Sequence, residues 1–194
     1  MRRQVLIFGT TGAIVAATSA AVLASAGSPT LRVEKNVHVT NATTASFALK
    51  PVDKHEAVAV GPAGYAVYTF QGETTRHLIC HRTNNKNTDC WGFWPPVSVR
   101  SAKAISKAHG IRGKLGTFKI HGLLQLTLNG QPLYYFQPDL MSGKKRQATG
   151  DELKTFGSIW HVVVAHVAGG GGQSAPAAPA PNSAGGGSGY GPGY

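Results

Sequence analysis

Positions sixty-six residues apart in this chain carry matching side chains. Tyr68 matches Tyr134, Phe70 matches Phe136, Gln71 matches Gln137 and Gly64 matches Gly130. Trp94 matches Trp160, Val97 matches Val163, His55 matches His121 and Thr83 matches Thr149. Glu73 falls opposite Asp139, a carboxylate for a carboxylate. The alignment needs no gap. Aromatic residues make up only 8% of the chain, so three aromatic identities at one offset point to a duplicated unit. Two copies of so long a period suit a single domain with pseudo-two-fold symmetry better than an open solenoid.

Each copy reads as β. In the second, Leu124, Leu126 and Leu128 alternate with Gln125 and Thr127, and Asn129-Gly130 follows. Asn-Gly between alternating runs is the strongest short hairpin signal, because both residues accept a positive φ. A two-residue turn would pair Leu128 with Gln131, Leu126 with Leu133 and Leu124 with Tyr135. Pro132 then falls at a non-hydrogen-bonded pair, where its missing N–H costs nothing inside the hairpin. The first copy repeats the plan with Ala57–Val60, a Pro62-Ala63-Gly64 turn and Tyr65–Gln71. Each copy closes on an apolar stretch, Phe93–Val97 and Ile159–Val164, and Leu115–Ile120 adds a strand. Ser101–His109 reads as a short helix with Ser101 as N-cap and Gly110 past its end. The expectation is an all-β domain over 55–167, sandwich or barrel-like, with a minor short helix. Repeat one covers about 55–100 and repeat two about 115–167.

The flanks differ in kind. Arg2 and Arg3 precede an uncharged run from Val5 to Ala26 that closes on Ala24-Ser25-Ala26. This reads as a signal peptide over 1–26; the alternative is an uncleaved membrane anchor. Residues 27–54 read as an extension and linker, with a strand suggested by Val33, Val37 and Val39. Asn41-Ala42-Thr43 matches a glycosylation acceptor, a tripeptide common by chance. Residues 168–194 hold no charged residue and no Val, Ile or Leu, and read as a disordered Gly/Pro/Ala-rich tail. Tyr190 and Tyr194 are its only sticky groups.

The second copy contains Tyr134-x-Phe136-x-x-Asp139 and then Trp160-x-Val162-Val163. The first contains Tyr68-x-Phe70, with Cys90 four residues before Trp94-Pro95-Pro96, and Leu115-Gly116-Thr117 leads into the second hairpin. Over about 55–165 the chain resembles the bacterial secreted-repeat family of unknown function, predicted lipoproteins with a Yx(F/W/Y)xxD motif. The resemblance implies an exported envelope protein of paired β repeats and implies no activity. Three departures stand out. No cysteine is placed for lipid attachment, Glu73 replaces the motif Asp in copy one, and the usual close Cys pair is stretched to Cys80 and Cys90.

Several residues carry chemistry. Cys80 and Cys90 are the only cysteines, and an exported chain favours a disulfide between them. A loop of that length adds roughly 2.5–3 kcal/mol in the chain-entropy model. His77, Cys80, His81 and Cys90 form the alternative, a metal set with non-standard spacing. Tyr68, Phe70, Trp94, Tyr134, Phe136 and Trp160 read as a symmetric aromatic core, with a surface platform for sugars or bases as the alternative. Glu73 and Asp139 read as turn caps, with a hydrolytic pair as the alternative. No nucleotide, zinc-hydrolase or serine-hydrolase motif occurs, and no cofactor is called for.

The charge is lopsided: 19 Lys and Arg against 8 Asp and Glu. Loss of Arg2 and Arg3 with a leader would still leave a strong excess. Arg76, Arg82 and Lys86 cluster in the Cys loop beside His77 and His81, and Lys144, Lys145 and Arg146 sit at the equivalent place in copy two. Such loops attract anionic wall polymer or phospholipid head groups, rather than a specific nucleic acid, through a screened field. Contact with a membrane otherwise comes only through an uncleaved leader. The expectation is therefore a secreted or envelope protein, a non-enzymatic binding or structural module with a basic surface. The alternatives are a metal or redox module using the His/Cys loop, and a small hydrolase using Asp139 and Glu73.

Overall fold

The structure, a computed structural model, describes residues 28–167. The expected leader over 1–26 and the tail from 168 lie outside the described residues. Among those described, no helix is long and apolar enough to cross a membrane. The fold is mostly β. Its elements are β1 Arg32–Thr40, β2 Asp53–Val60, β3 Tyr68–Phe70, β4 Leu115–Ile120, β5 Leu123–Leu128, β6 Gln131–Pro132, β7 Gln147–Ala148, β8 Lys154–Thr155 and β9 Ser158–Val162. A 3₁₀ segment Ala42–Phe47 and two short helices, α1 Cys90–Phe93 and α2 Gln137–Ser142, complete them. The strands form three small sheets, ordered β2-β1-β7, β3-β9-β8 and β4-β5-β6, and the described residues close no barrel.

The second hairpin forms at Asn129-Gly130, whose φ values of 53° and 77° suit a two-residue turn. Leu128 faces Gln131, Thr127 faces Pro132, and the Leu133 N–H donates to the Leu126 carbonyl. The expected Leu124–Tyr135 pair does not form. Tyr135 instead donates its N–H to Pro95, while Leu124 lies opposite Lys119 in β4. The chain leaves the hairpin after Leu133 because two other partners claim it: Tyr134 bridges to both Pro96 and Tyr68. Tyr68 and Tyr134 exchange N–H···O bonds of 2.9 and 3.0 Å.

Backbone pairing repeats at matched positions. Val67 donates to Ala59 and accepts from Val163; Leu133 donates to Leu126 and accepts from Val97. Val67 and Leu133 are sixty-six apart, as are Val97 and Val163, but Ala59 and Leu126 are sixty-seven apart. The gapless match therefore fails on the outer hairpin strand. The first turn, held by Gly61 N–H to Tyr65 O and by Gly64 at φ 83°, is one residue longer than the second.

Two expectations are corrected. The strand suggested by Val33, Val37 and Val39 forms as β1, but residues 27–54 do not lie apart from the domain as an extension and linker. β1 pairs antiparallel with β2 and parallel with β7, and Leu31, Val37 and Val39 are fully buried. Asn41 anchors the 3₁₀ segment: its amide donates to the Lys50 and Asp151 carbonyls and its Oδ1 accepts from Val52 N–H. That buried side chain is spent on the fold and is not offered for glycosylation. The helix expected at 101–109 is a series of turns. Leu31 takes its backbone instead, donating to the Ser106 carbonyl and accepting from Ala108 N–H. Long-range pairing overrides a weak local propensity here.

Two cores result. One gathers the β1/β2 valines and the six motif aromatics; the other gathers Leu31, Val97, Leu126, Leu133 and Tyr135. Gly150 is required beside the first, since a Cβ there would meet Trp94 Cη2 at 2.7 Å and Phe136 at 3.1 Å. Truncating either buried indole, Trp94→Ala or Trp160→Ala, should cost about 3–5 kcal/mol in urea unfolding. Phe93→Ala, on a ring that is half-exposed, should cost under about 1 kcal/mol. Similar losses for all three would contradict this core assignment.

Candidate functional site

The motif aromatics interlock rather than present a surface. Trp94 and Trp160 stack at 3.8 Å between ring centroids. Phe70 stacks on Trp160 at 4.2 Å and Phe136 packs on Trp94 at 4.4 Å. Tyr68 meets Trp94 edge-on at 5.3 Å, and Tyr134 meets Trp160 edge-on at the same distance. All six are at most 4% exposed, so their faces are taken by one another.

The two carboxylates sit under these rings. The Tyr68 hydroxyl donates to Asp139 Oδ2 at 2.6 Å, and Thr149 donates to Oδ1 through both its N–H and its hydroxyl. Glu73 Oε1 accepts from Ile79 N–H at 2.8 Å and Cys80 N–H at 2.7 Å. The Tyr134 hydroxyl donates instead to the Cys80 carbonyl at 3.3 Å, and Glu73 Oε2 is left without a hydrogen-bond partner among the described residues. Burial raises the pKa of both tyrosines, and the nearby carboxylates, Asp139 and Glu73, add to it. Of the two tyrosines, Tyr68 thus bonds to the carboxylate of the other motif, while Tyr134 lies near Glu73 and bonds to a backbone carbonyl. Burial pushes both carboxyl groups above their ordinary range, against hydrogen bonds that favour the charged form. Both are essentially fully buried, and they share no open cleft where a hydrolytic pair could meet a substrate.

Cys80 and Cys90 are joined in a disulfide, and both are buried. Their sulfurs are therefore not available as thiolate ligands, and the His77, Cys80, His81, Cys90 metal set does not form. His77 and His81 lie exposed on the same loop, with Arg76, Arg82 and Lys86 also exposed.

Lys144, Lys145 and Arg146 follow α2 on an exposed turn. The parallel pairing of β7 with β1 brings this turn against Arg32, Lys35 and His38. Sequence reading missed those three, because nothing local ties β1 to a strand more than a hundred residues later. Arg146 pairs with Glu34 at 3.0 Å and donates to the Lys35 carbonyl. Lys145 stands 5.9 Å over the Tyr65 ring. A Cβ on Gly64 would lie 3.5 Å from both Arg32 Nη2 and Lys145 Nζ, so two cations converge over this turn. Arg32 also borders a groove of about 830 Å³ with Arg100 and the hydroxyls of Ser28, Thr30 and Ser98, and no carboxylate lines it.

The acids explain why this surface stays positive. All eight lie within the described residues. Glu73 and Asp139 are internal. Glu56, Asp151 and Glu152 engage Lys54 and Lys50, Glu34 engages Arg146, Asp53 engages His38, and Asp89 accepts from Thr83 N–H. Among the described residues no other lysine or arginine has a carboxylate within 4.0 Å. Asp151, Glu152 and His161 bring three potential metal ligands within 4.8 Å, yet Lys50 and Lys54 already neutralise the two carboxylates. That cluster is an ion network holding β8 and β9 to the β1/β2 sheet.

Two expectations follow. A carboxyl whose pKa is raised in the folded state stabilises that state fully below its unfolded pKa, about 4. That contribution is lost as pH rises through the folded value. Asp139→Asn should therefore flatten the decline in the urea midpoint above about pH 4, and an unchanged pH slope would contradict it. Cys80→Ser with Cys90→Ser should lower stability by about 2–3 kcal/mol; no change would show that the disulfide does not constrain the unfolded chain.

No protein-family model, curated protein or solved structure matches the chain.

Proposed function

We propose that this is an exported cell-envelope protein that binds phosphate-bearing anionic surfaces, wall polymer or phospholipid head groups, without chemistry of its own. One observation carries the reading. The fold spends its carboxylates internally or in ion pairs, and leaves Arg32, Arg100, Lys144 and Lys145 without carboxylate partners beside a groove and a turn. The field of such a surface concentrates polyanions and weakens as salt screens it. Arg76, Arg82 and Lys86 extend the positive surface on the disulfide loop. Arg146 contributes less, because Glu34 already holds it.

In the same reading, residues 55–167 are two tandem units related by a pseudo-two-fold axis, as in the secreted-repeat family that the sequence resembles. The mutual Tyr68–Tyr134 hydrogen bonds, the Trp94–Trp160 stack and the crossed Tyr68–Asp139 bond support that relation. A basic, apolar-cored start with a small-residue end supports export, with the leader cleaved near Ala26 or kept as an anchor.

The test is retention of the full chain on polyphosphate and on anionic phospholipid vesicles, with zwitterionic vesicles as control. Binding should fall steeply with salt. Arg32→Ala, Lys144→Ala and Lys145→Ala together should reduce it about tenfold or more with no change in unfolding midpoint. The two supports tell wall-type polymer from lipid. Retention that ignores both salt and these substitutions would overturn the reading.

A further inference from the structure

Two cations of the basic surface are held together over one turn. Lys145 Nζ stands 5.9 Å over the Tyr65 ring, and Arg32 reaches the same turn from β1. Arg32 Nη2 and Lys145 Nζ each lie 3.5 Å from the point where a Cβ on Gly64 would stand. The two charges are therefore closer than the screening length of about 8 Å at physiological ionic strength, and they repel. Among the described residues neither has a carboxylate within 4.0 Å. Gly64 leaves the gap between them open, and its φ of 83° is the left-handed region that favours glycine.

Arg32 and the turn at 61–65 also border the groove of about 830 Å³, so the gap and the groove are neighbours. The groove adds Arg100, three hydroxyls and an aliphatic wall. The Thr30 hydroxyl accepts from Ser106 N–H at 3.2 Å, which leaves its proton to donate. Val99 N–H donates to the Leu124 carbonyl at 2.9 Å and fixes two of the walls against each other. Leu123, on the wall, is 38% exposed.

We propose that the turn and the groove together hold a linear polyol-phosphate, a phosphodiester polymer whose repeats carry hydroxyls. One phosphate sits between Arg32 and Lys145, relieves their repulsion and takes a charge-assisted hydrogen bond from each. The polymer continues into the groove. There Arg100 meets a further phosphodiester, the hydroxyls of Ser28, Thr30 and Ser98 bond the polyol, and Leu123 and Leu124 cover its C–H groups. This rests on the anion-binding reading above and adds the class of partner and its path. Four separate segments of the chain wall the groove, and that concavity favours a polymer strand. The head groups of a membrane form a flat surface, which meets a groove only at its rims.

The test measures affinity of the full chain for poly(glycerol phosphate), for polyphosphate of equal charge and for phosphatidylglycerol vesicles, at one salt concentration. Poly(glycerol phosphate) should bind about tenfold more tightly than either, although polyphosphate has the denser charge. Ser98→Ala should weaken the glycerol polymer about threefold and leave polyphosphate unchanged. Gly64→Asp places a carboxylate between the cations and should cost about tenfold on both polymers. Gly64→Asn, of the same shape and on the same backbone, should not. Equal affinity for the two polymers, with no effect of Ser98→Ala, would overturn the proposal; salt-sensitive binding to both would then leave the broader reading standing. Tightest binding to the vesicles would overturn it in favour of a membrane. Equal losses from Gly64→Asp and Gly64→Asn would overturn the placing of a phosphate between the cations.

Discussion

Two indole rings stacked at 3.8 Å set the terms for the rest of this molecule. Trp94 directly follows α1, and Trp160 comes from β9. Each covers one face of the other, so each ring's burial depends on a segment far along the chain. The stack leaves each indole one outer face, which Phe136 and Phe70 cover, and one edge, which Tyr68 and Tyr134 meet. Once the tyrosines are fixed at the centre, their hydroxyls need partners, because a buried hydroxyl without one is costly. Asp139 answers Tyr68, and the Cys80 carbonyl answers Tyr134.

The internal demand for carboxylates has an external consequence. A chain with few acids uses two under its aromatic core, and three more hold β8, β9 and the lysines of the neighbouring sheet. Apart from Lys50, Lys54 and Arg146, the described lysines and arginines have no carboxylate within 4.0 Å. The charge of the surface thus follows from the core. That link turns an excess of basic residues, often no more than a solubility device, into an argument about partners.

Local features were legible in the sequence. Asn129-Gly130 is a turn because both φ values are chemically dictated, and the hairpin register near it followed to Leu133. The sixty-six-residue spacing brought the tyrosines, tryptophans and carboxylates to notice, although it could not tell that Tyr68 crosses to Asp139. Long-range features were hidden. β1 was legible as a strand but not as part of the domain, because its parallel partner β7 is two residues long and lies far along the chain. The segment after Ser101 looked helical because its pairing with Leu31 leaves no local mark. Arg32 was missed for the same reason.

The central claim is that the two stacked indoles hold each other in place. A double-mutant cycle on unfolding free energy, with Trp94→Leu, Trp160→Leu and both together, measures that coupling. We expect the double variant to depart from additivity by about 1 kcal/mol or more, because the second truncation no longer breaks a ring stack. Additivity within about 0.3 kcal/mol would contradict the account, since it would mean that each ring is held by its own surroundings and not by the other.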